Sequence, residues 1–234
     1  MFTQKFQAWV RRWAQRGIGV FRDSPITPNM LTLFGLVITA FGALLVAMGH
    51  LVLGGIVLLF AGLFDILDGA LARAAGKVYR YGAFLDSTVD RYSEGVVYLG
   101  ILIYFLGRHD SLDSVVVLVA LAGSFLVSYV RARAQSLGFT CDVGILARPE
   151  RVVIIVAGLL LQPIRLLPWP ALTIALWILA LGTNFTAVQR VWVVWQQNRV
   201  ELAGLRGRAP AQKPVQAQPV RAAMKRFFEN LGKT

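Results

Sequence analysis

Residues 24–64 read SPITPNMLTLFGLVITAFGALLVAMGHLVLGGIVLLFAGLF, 41 positions from Ser24 to Phe64 without one Asp, Glu, Lys or Arg. As helix this run measures about 61 Å at ~1.5 Å per residue, twice a ~30 Å hydrocarbon core. Two membrane spans fit there, folded back at Gly49-His50. Extended along the chain, the same reading of apolar runs against turn signals gives six spans at about 28–49, 51–75, 82–106, 112–137, 150–167 and 169–195. The expected architecture is all-α, a polytopic membrane protein with six transmembrane helices. Composition agrees: 56% hydrophobic and 15% charged residues do not suit a soluble domain. A single cysteine, Cys141, excludes a disulfide scaffold. The first 22 residues are basic and aromatic rather than a short apolar run, which speaks against a cleaved signal peptide. The two histidines, His50 and His109, fall at loop tips and promise little chemistry.

The basic residues set an orientation. Five Lys or Arg lie between Lys5 and Arg22, four between Arg73 and Arg91, four between Arg131 and Arg151, and nine between Arg190 and Lys233. Only Arg108 and Arg165 remain for the other side, a split of 22 to 2 that predicts both termini in the cytoplasm at the cell (inner) membrane. Basic flanks facing anionic membrane lipids account for the net charge of +12, and no soluble domain is present to bind nucleic acid. Phe2, Phe6, Trp9 and Trp13 recur at helical spacing among Lys5, Arg11, Arg12 and Arg16, as in an amphipathic helix lying in the interface. Leu205 to Pro219 reads as a linker, after which Val220, Met224, Phe227, Phe228 and Leu231 offer a second short surface helix or a disordered basic tail. Trp192 and Trp195 read as an interfacial belt. The resulting layout is a juxtamembrane helix over 1–22, a six-helix membrane domain over 23–198 and a basic tail over 199–234.

The informative residues are Asp65, Asp68, Asp86 and Asp90, all inside spans two and three. An Asp at a helix centre costs ~2.5 to 3.5 kcal/mol on insertion scales, so four need compensation by arginines or by metal ions. Asp65 and Asp68 are three apart and Asp86 and Asp90 four apart, which puts each pair on one helix face. A hairpin centred near residues 77 and 78 reflects Asp65 onto Asp90 and Asp68 onto Asp86. Gly55, Gly62, Gly69 and Gly76 recur every seven residues in span two, a stripe for close approach of a helix or a ligand. Converging carboxylates without His or Cys suit hard cations, Mg²⁺ or Mn²⁺, and two such ions form a site for phosphoryl transfer. The alternatives are a structural cluster paired with Arg73, Lys77, Arg80 and Arg91, or the ion path of a cation-coupled transporter.

The spacing itself is specific. Asp65-Ile66-Leu67-Asp68-Gly69-Ala70-Leu71-Ala72-Arg73, then eight residues, Gly82, three residues, Asp86, three residues and Asp90 resembles the signature of the CDP-alcohol phosphotransferase family. Eight residue types are fixed across 26 positions, and the likeness extends over residues 20 to 195, with Ile26-Thr27-Pro28-Asn29 leading into span one. The resemblance implies a site facing the cytosol where a CDP-lipid such as CDP-diacylglycerol gives its phosphatidyl group to an alcohol and CMP leaves. It implies that Asp65, Asp68 and Asp86 are principal metal ligands, with Asp90 near the second metal and the incoming hydroxyl. It implies further that Pro28, Asn29, Asp65, Asp68, Gly69, Ala72, Arg73 and Gly82 hold the CDP-lipid, and that the enzyme is a homodimer. An alcohol is a poor nucleophile at neutral pH and needs a base, the role expected of Asp90.

The acceptor is sought at the other charged helix ends. Arg131 and Arg133 close span four, Arg148 and Arg151 flank Pro149-Glu150, and Arg190 ends the uncharged run of span six. Each reads first as a membrane flank or a carboxylate partner. The stretches 128–134 and 143–151, however, resemble most the branch of the family making phosphatidylinositol phosphate or its archaeal-lipid analogue. On that likeness Arg131, Arg151 and Arg190 would grip the phosphate of inositol phosphate, with glycerol phosphate or another polar alcohol as the alternative acceptor. Tyr92, Ser93 and Glu94 border the same cavity in this reading, and Glu94 has Arg91 as an alternative partner.

Overall fold

The computed structural model describes residues 28–74, 80–164 and 169–206, and the side chains of Pro28, residues 63–64, 66–74 and 203–206 lie outside that description. Among the described residues there are six helices and no strand: α1 (Pro28–Ala47), α2 (Leu51–Ala74), α3 (Arg80–Gly107), α4 (Ser111–Ser136), α5 (Arg148–Leu160) and α6 (Ala171–Arg206). The expected helices over 1–22 and 220–231 lie outside the described residues. The chain divides into a body running to Trp195 and a second unit from Gln196, of which the described part is the end of α6.

Turn chemistry sets the helix ends. α1 opens on Pro28, whose fixed φ and missing N–H are tolerated in a first turn. It closes at Gly49, φ +88°, where the Gly49 N–H donates to the Val46 carbonyl and the His50 N–H to the Leu45 carbonyl, both at 2.9 Å. That left-handed closure satisfies carbonyls the helix would otherwise leave open. His109, φ +58°, closes α3 in the same way, and the Asp110 carboxylate caps α4 by accepting the Asp113 N–H at 3.1 Å. Span five was expected over 150–167, but α5 stops at Leu160. Pro163 cannot continue a helical ladder, and Gln162 instead accepts the Leu172 N–H of α6 at 3.0 Å.

Close approaches give the directions of the helices. Asn29 lies against Gly82, and Ala43 against Gly100, so α1 and α3 run parallel. Gly55 meets Leu159 while Asp65 meets Arg148, so α2 and α5 are antiparallel. Asp113 pairs with Thr173 and Gly123 abuts Thr183, which makes α4 and α6 parallel. Helices therefore alternate in direction, and the start of α1 shares one end of the bundle with Asp65, Asp90, Arg148 and Arg190. Lipid gives little hydrophobic drive for helix association, so small residues that let backbones touch carry the packing. A Cβ at Gly100 would overlap the Ala43 carbonyl. Between them lie the fully buried Tyr98, Ile101, Leu159, Leu172, Leu176 and Leu179, with the Tyr98 and Ser124 hydroxyls hydrogen-bonded at 3.0 Å.

The outer surface is apolar: Leu33, Phe34, Val37, Phe41 and Leu44 of α1 all point outward. Among the described residues three helices are long and apolar enough to cross a membrane, over Asn29–Ala47, Ser111–Ser136 and Ala171–Leu202. α2 has a shorter apolar part, Leu51–Gly62, before its aspartates. α5, at 13 residues, reaches about 20 Å at ~1.5 Å per residue.

Candidate active site

The charged end of the bundle gathers side chains from all six helices. α2 delivers Asp65 and α3 delivers Asp86 and Asp90, one turn apart on the same face, as a spacing of four requires. One carboxylate oxygen from each lies within 4.8 Å of the others. The expected approach of Asp65 to Asp90 is present. Asp68, Gly69, Ala72 and Arg73 follow on the α2 backbone, but their side chains lie outside the described residues, as does Lys77. Three carboxylates so close repel strongly unless cations stand among them, and an oxygen-only donor set fits a hard divalent ion.

Arg148, at the first turn of α5, stands where such a cation is needed. Its Nη1 lies 2.6 Å from Asp65 Oδ2 and its Nη2 lies 2.8 Å from Asp90 Oδ1, so one guanidinium bridges both helices of the hairpin. Arg91 adds a 3.2 Å contact to Asp90 Oδ2. The rigid fork of arginine suits a two-carboxylate bridge better than a lysine point charge. By sequence position Arg148 reads as a flank or carboxylate partner, outside the expected site. The available signal is its place among the charged helix ends, which Arg131, Arg133, Arg151 and Arg190 share.

Glu94 differs from the Arg91 pairing weighed above. One turn below Asp90, it is buried and bound to Arg151, which also donates to the Leu146 carbonyl at 3.1 Å. The three expected acceptor arginines share a destination. Arg131 pairs with Asp142 at 2.6 Å, Arg190 donates through Nε to the Val143 carbonyl at 2.8 Å, and Arg151 reaches Leu146, so all three fasten the loop between α4 and α5. Arg190 also donates from Nη1 to the Val127 carbonyl at 2.5 Å, and Arg131 and Arg151 lie within electrostatic reach of it. Gly144, φ +129°, passes over Arg190, where a Cβ would clash with Thr186. Arg131 is the most open of the three, with 47% of its side chain exposed. At the other edge, Asn29 and Gly82, both expected to hold the donor, are neighbours: a Cβ on Gly82 would stand 3.5 Å from Asn29 Oδ1.

A family model described as CDP-alcohol phosphatidyltransferase matches residues 25–195. The phosphatidylinositol phosphate synthase of Mycobacterium tuberculosis is 40% identical over 174 residues, 73% of this chain and 80% of that protein. The archaetidylinositol phosphate synthase of Pyrococcus horikoshii is 39% identical over 168 residues, 71% and 82% of the two chains. The crystal structure of the M. tuberculosis phosphatidylinositol phosphate synthase with CDP-DAG bound superposes with a TM-score of 0.70 at 37% identity, covering 80% of this chain and 93% of that one. The same protein in complex with manganese and citrate gives 0.69 at 38% identity, covering 80% and 88%.

Proposed function

This chain belongs to the CDP-alcohol phosphatidyltransferase family, and from that premise we propose that it transfers the phosphatidyl group of CDP-diacylglycerol, or a related CDP-lipid, to a hydroxyl of inositol phosphate. The observation that carries the reading is the convergence of Asp65, Asp86 and Asp90 within 4.8 Å at the charged end of the bundle. Asp65, Asp68, Asp86 and Asp90 would hold Mg²⁺ or Mn²⁺, two ions in this reading. Bound there, the ions supply charge neutralisation on the diphosphate and the leaving CMP.

The remaining steps belong to the chain's own groups. Asp90 accepts the proton of the acceptor hydroxyl as its oxygen bonds to the lipid-linked phosphorus. The bond from that phosphorus to the oxygen of CMP then breaks. Asn29 and Gly82, with Pro28, Gly69, Ala72 and Arg73, would seat the donor. Backbone close enough for a glycine-lined approach favours a diphosphate there. Arg131, Arg151 and Arg190 would face the acceptor phosphate, with Arg131 making the direct contact and the two buried arginines adding field and loop position.

The layout follows. Six spans would place both termini and the site on the cytoplasmic side, supported by the basic residues at this end and the alternating helix directions. Residues 1–22 would lie on the membrane surface, 23–198 form the catalytic domain and 199–234 a basic tail. Assembly as a homodimer rests on the family resemblance alone.

The test is CMP release by purified protein from CDP-diacylglycerol and Mg²⁺ across a panel of acceptors. Inositol phosphate is expected to be used and free inositol not. Glycerol phosphate prevailing in direct competition would reject this acceptor, and CMP release that ignores the metal would reject the mechanism.

A further inference from the structure

We infer that Asp142 is the resting occupant of the acceptor-phosphate site: its carboxylate holds Arg131 between turnovers and yields it to the phosphate of the arriving acceptor. The inference rests on inositol phosphate being the acceptor and on Arg131 being its contact, as proposed above. Charge is the starting point. Arg151 is neutralised by Glu94 inside the bundle, through two hydrogen bonds. Arg131 and Arg190 have no such private partner. Arg190 is 3% exposed and donates to the Val143 and Val127 carbonyls, and among the described residues no carboxylate is in salt-bridge contact with it. Asp142 pairs with Arg131 at 2.6 Å and lies within electrostatic reach of Arg190. One carboxylate therefore serves two guanidinium groups, and one positive charge is left over. A phosphate dianion matches both, after which the Asp142 charge is surplus and repels it.

The pair can open without moving the loop. Cys141, one residue before, is fully buried, and Val143, one residue after, has its carbonyl held by Arg190 at 2.8 Å. The backbone is thus fixed on both sides, while the Asp142 side chain is 70% exposed and that of Arg131 47%. Rotation about the Asp142 side-chain bonds, a ps–ns event for an exposed residue, is enough to release Arg131. The contact given up is a single one, Nη2 to Oδ1, and exposed ion pairs of this kind add little to stability. A phosphate can take the guanidinium fork with two oxygens, the stronger arrangement. The exchange also serves the way out. In the proposed transfer a hydroxyl reacts and the acceptor's phosphate stays on the ring, so the product forms with that phosphate still against the arginines. Asp142 returning to Arg131 takes its place and favours release, a step that limits many enzymes.

The test follows CMP release by the full-length protein from CDP-diacylglycerol and Mg²⁺ at varied inositol phosphate. Asp142→Asn should lower the KM for inositol phosphate about two- to fivefold, the worth of an exposed pair, leave the KM for CDP-diacylglycerol in place and strengthen inhibition by the lipid product. Asp142→Glu, which keeps the charge, should stay near wild type. In an Arg131→Ala background the Asn substitution should no longer lower the acceptor KM, because the group it competes for is gone. An acceptor KM that Asp142→Asn leaves unchanged or raises would overturn the exchange, as would a full effect surviving without Arg131. In the wild-type protein, inositol phosphate should increase carbodiimide labelling of the Asp142 carboxylate, read by mass spectrometry; constant or reduced labelling would also overturn it. Arg131→Ala leaving the acceptor KM unchanged would remove the acceptor reading on which the exchange rests.

Discussion

Glu94 and Arg151 form a two-pronged ion pair inside the bundle, Nε to Oε1 at 2.6 Å and Nη2 to Oε2 at 2.9 Å, with side-chain exposures of 5% and 1%. Removing one partner leaves the other charged in a dry interior, at a cost of ~3–5 kcal/mol, whereas exchanging both for apolar groups is often neutral. Arg151→Ala is therefore expected to lower the melting temperature of the purified protein sharply, and Glu94→Met/Arg151→Met to recover most of it. Equal melting temperatures for wild type and Arg151→Ala would show that the pair contributes nothing.

Arg131 gives the cleaner probe of the acceptor, because its ion pair with Asp142 is exposed and exposed pairs contribute ~0–1 kcal/mol to stability. Arg131→Ala should leave the melting temperature near wild type and lower kcat/KM for inositol phosphate by about 10 to 150-fold, the loss of one charge-assisted contact at ~1.5 to 3 kcal/mol. The KM for CDP-lipid should hardly move. If acceptor kinetics stay unchanged, Arg131 only fastens its loop.

Arg148 bridges Asp65 and Asp90, so Arg148→Gln removes the cation that offsets their repulsion. In chelator the variant should melt well below wild type, and Mn²⁺ should restore more stability to it than to wild type, since a ligand binding only the folded state stabilises by mass action. A metal-independent deficit would place Arg148 in packing rather than in charge balance.

Asp86→Asn should abolish turnover together with the Mn²⁺-induced rise in melting temperature, because a neutral amide is a poor ligand for a hard ion. Full activity of this variant in excess chelator would sink the metal reading.

Asp90 separates chemistry from binding. If it takes the acceptor's proton, Asp90→Asn should reduce kcat by ~10² or more while donor binding changes less, general-base catalysis contributing ~10² to 10⁴. Parallel losses in donor affinity and turnover would make Asp90 chiefly a ligand.

The sequence by itself determined the features that depend on local spacing. An uncharged run twice the membrane thickness forces a helical hairpin at Gly49-His50, and aspartates three and four apart must share a helix face whatever surrounds them. The fixed spacing from Asp65 to Asp90 carried the family likeness for the same reason. Tertiary structure decided which charges meet. Arg73, Arg80, Arg91, Arg131, Arg148, Arg151 and Arg190 all stand at one end of the bundle, and sequence ranks none above another as partner for a given carboxylate. The register of α5 against α2 and α3 brought Arg148 onto Asp65 and Asp90 and Arg151 onto Glu94. Periodicity along one helix is local chemistry, while partner choice is a property of the space between helices.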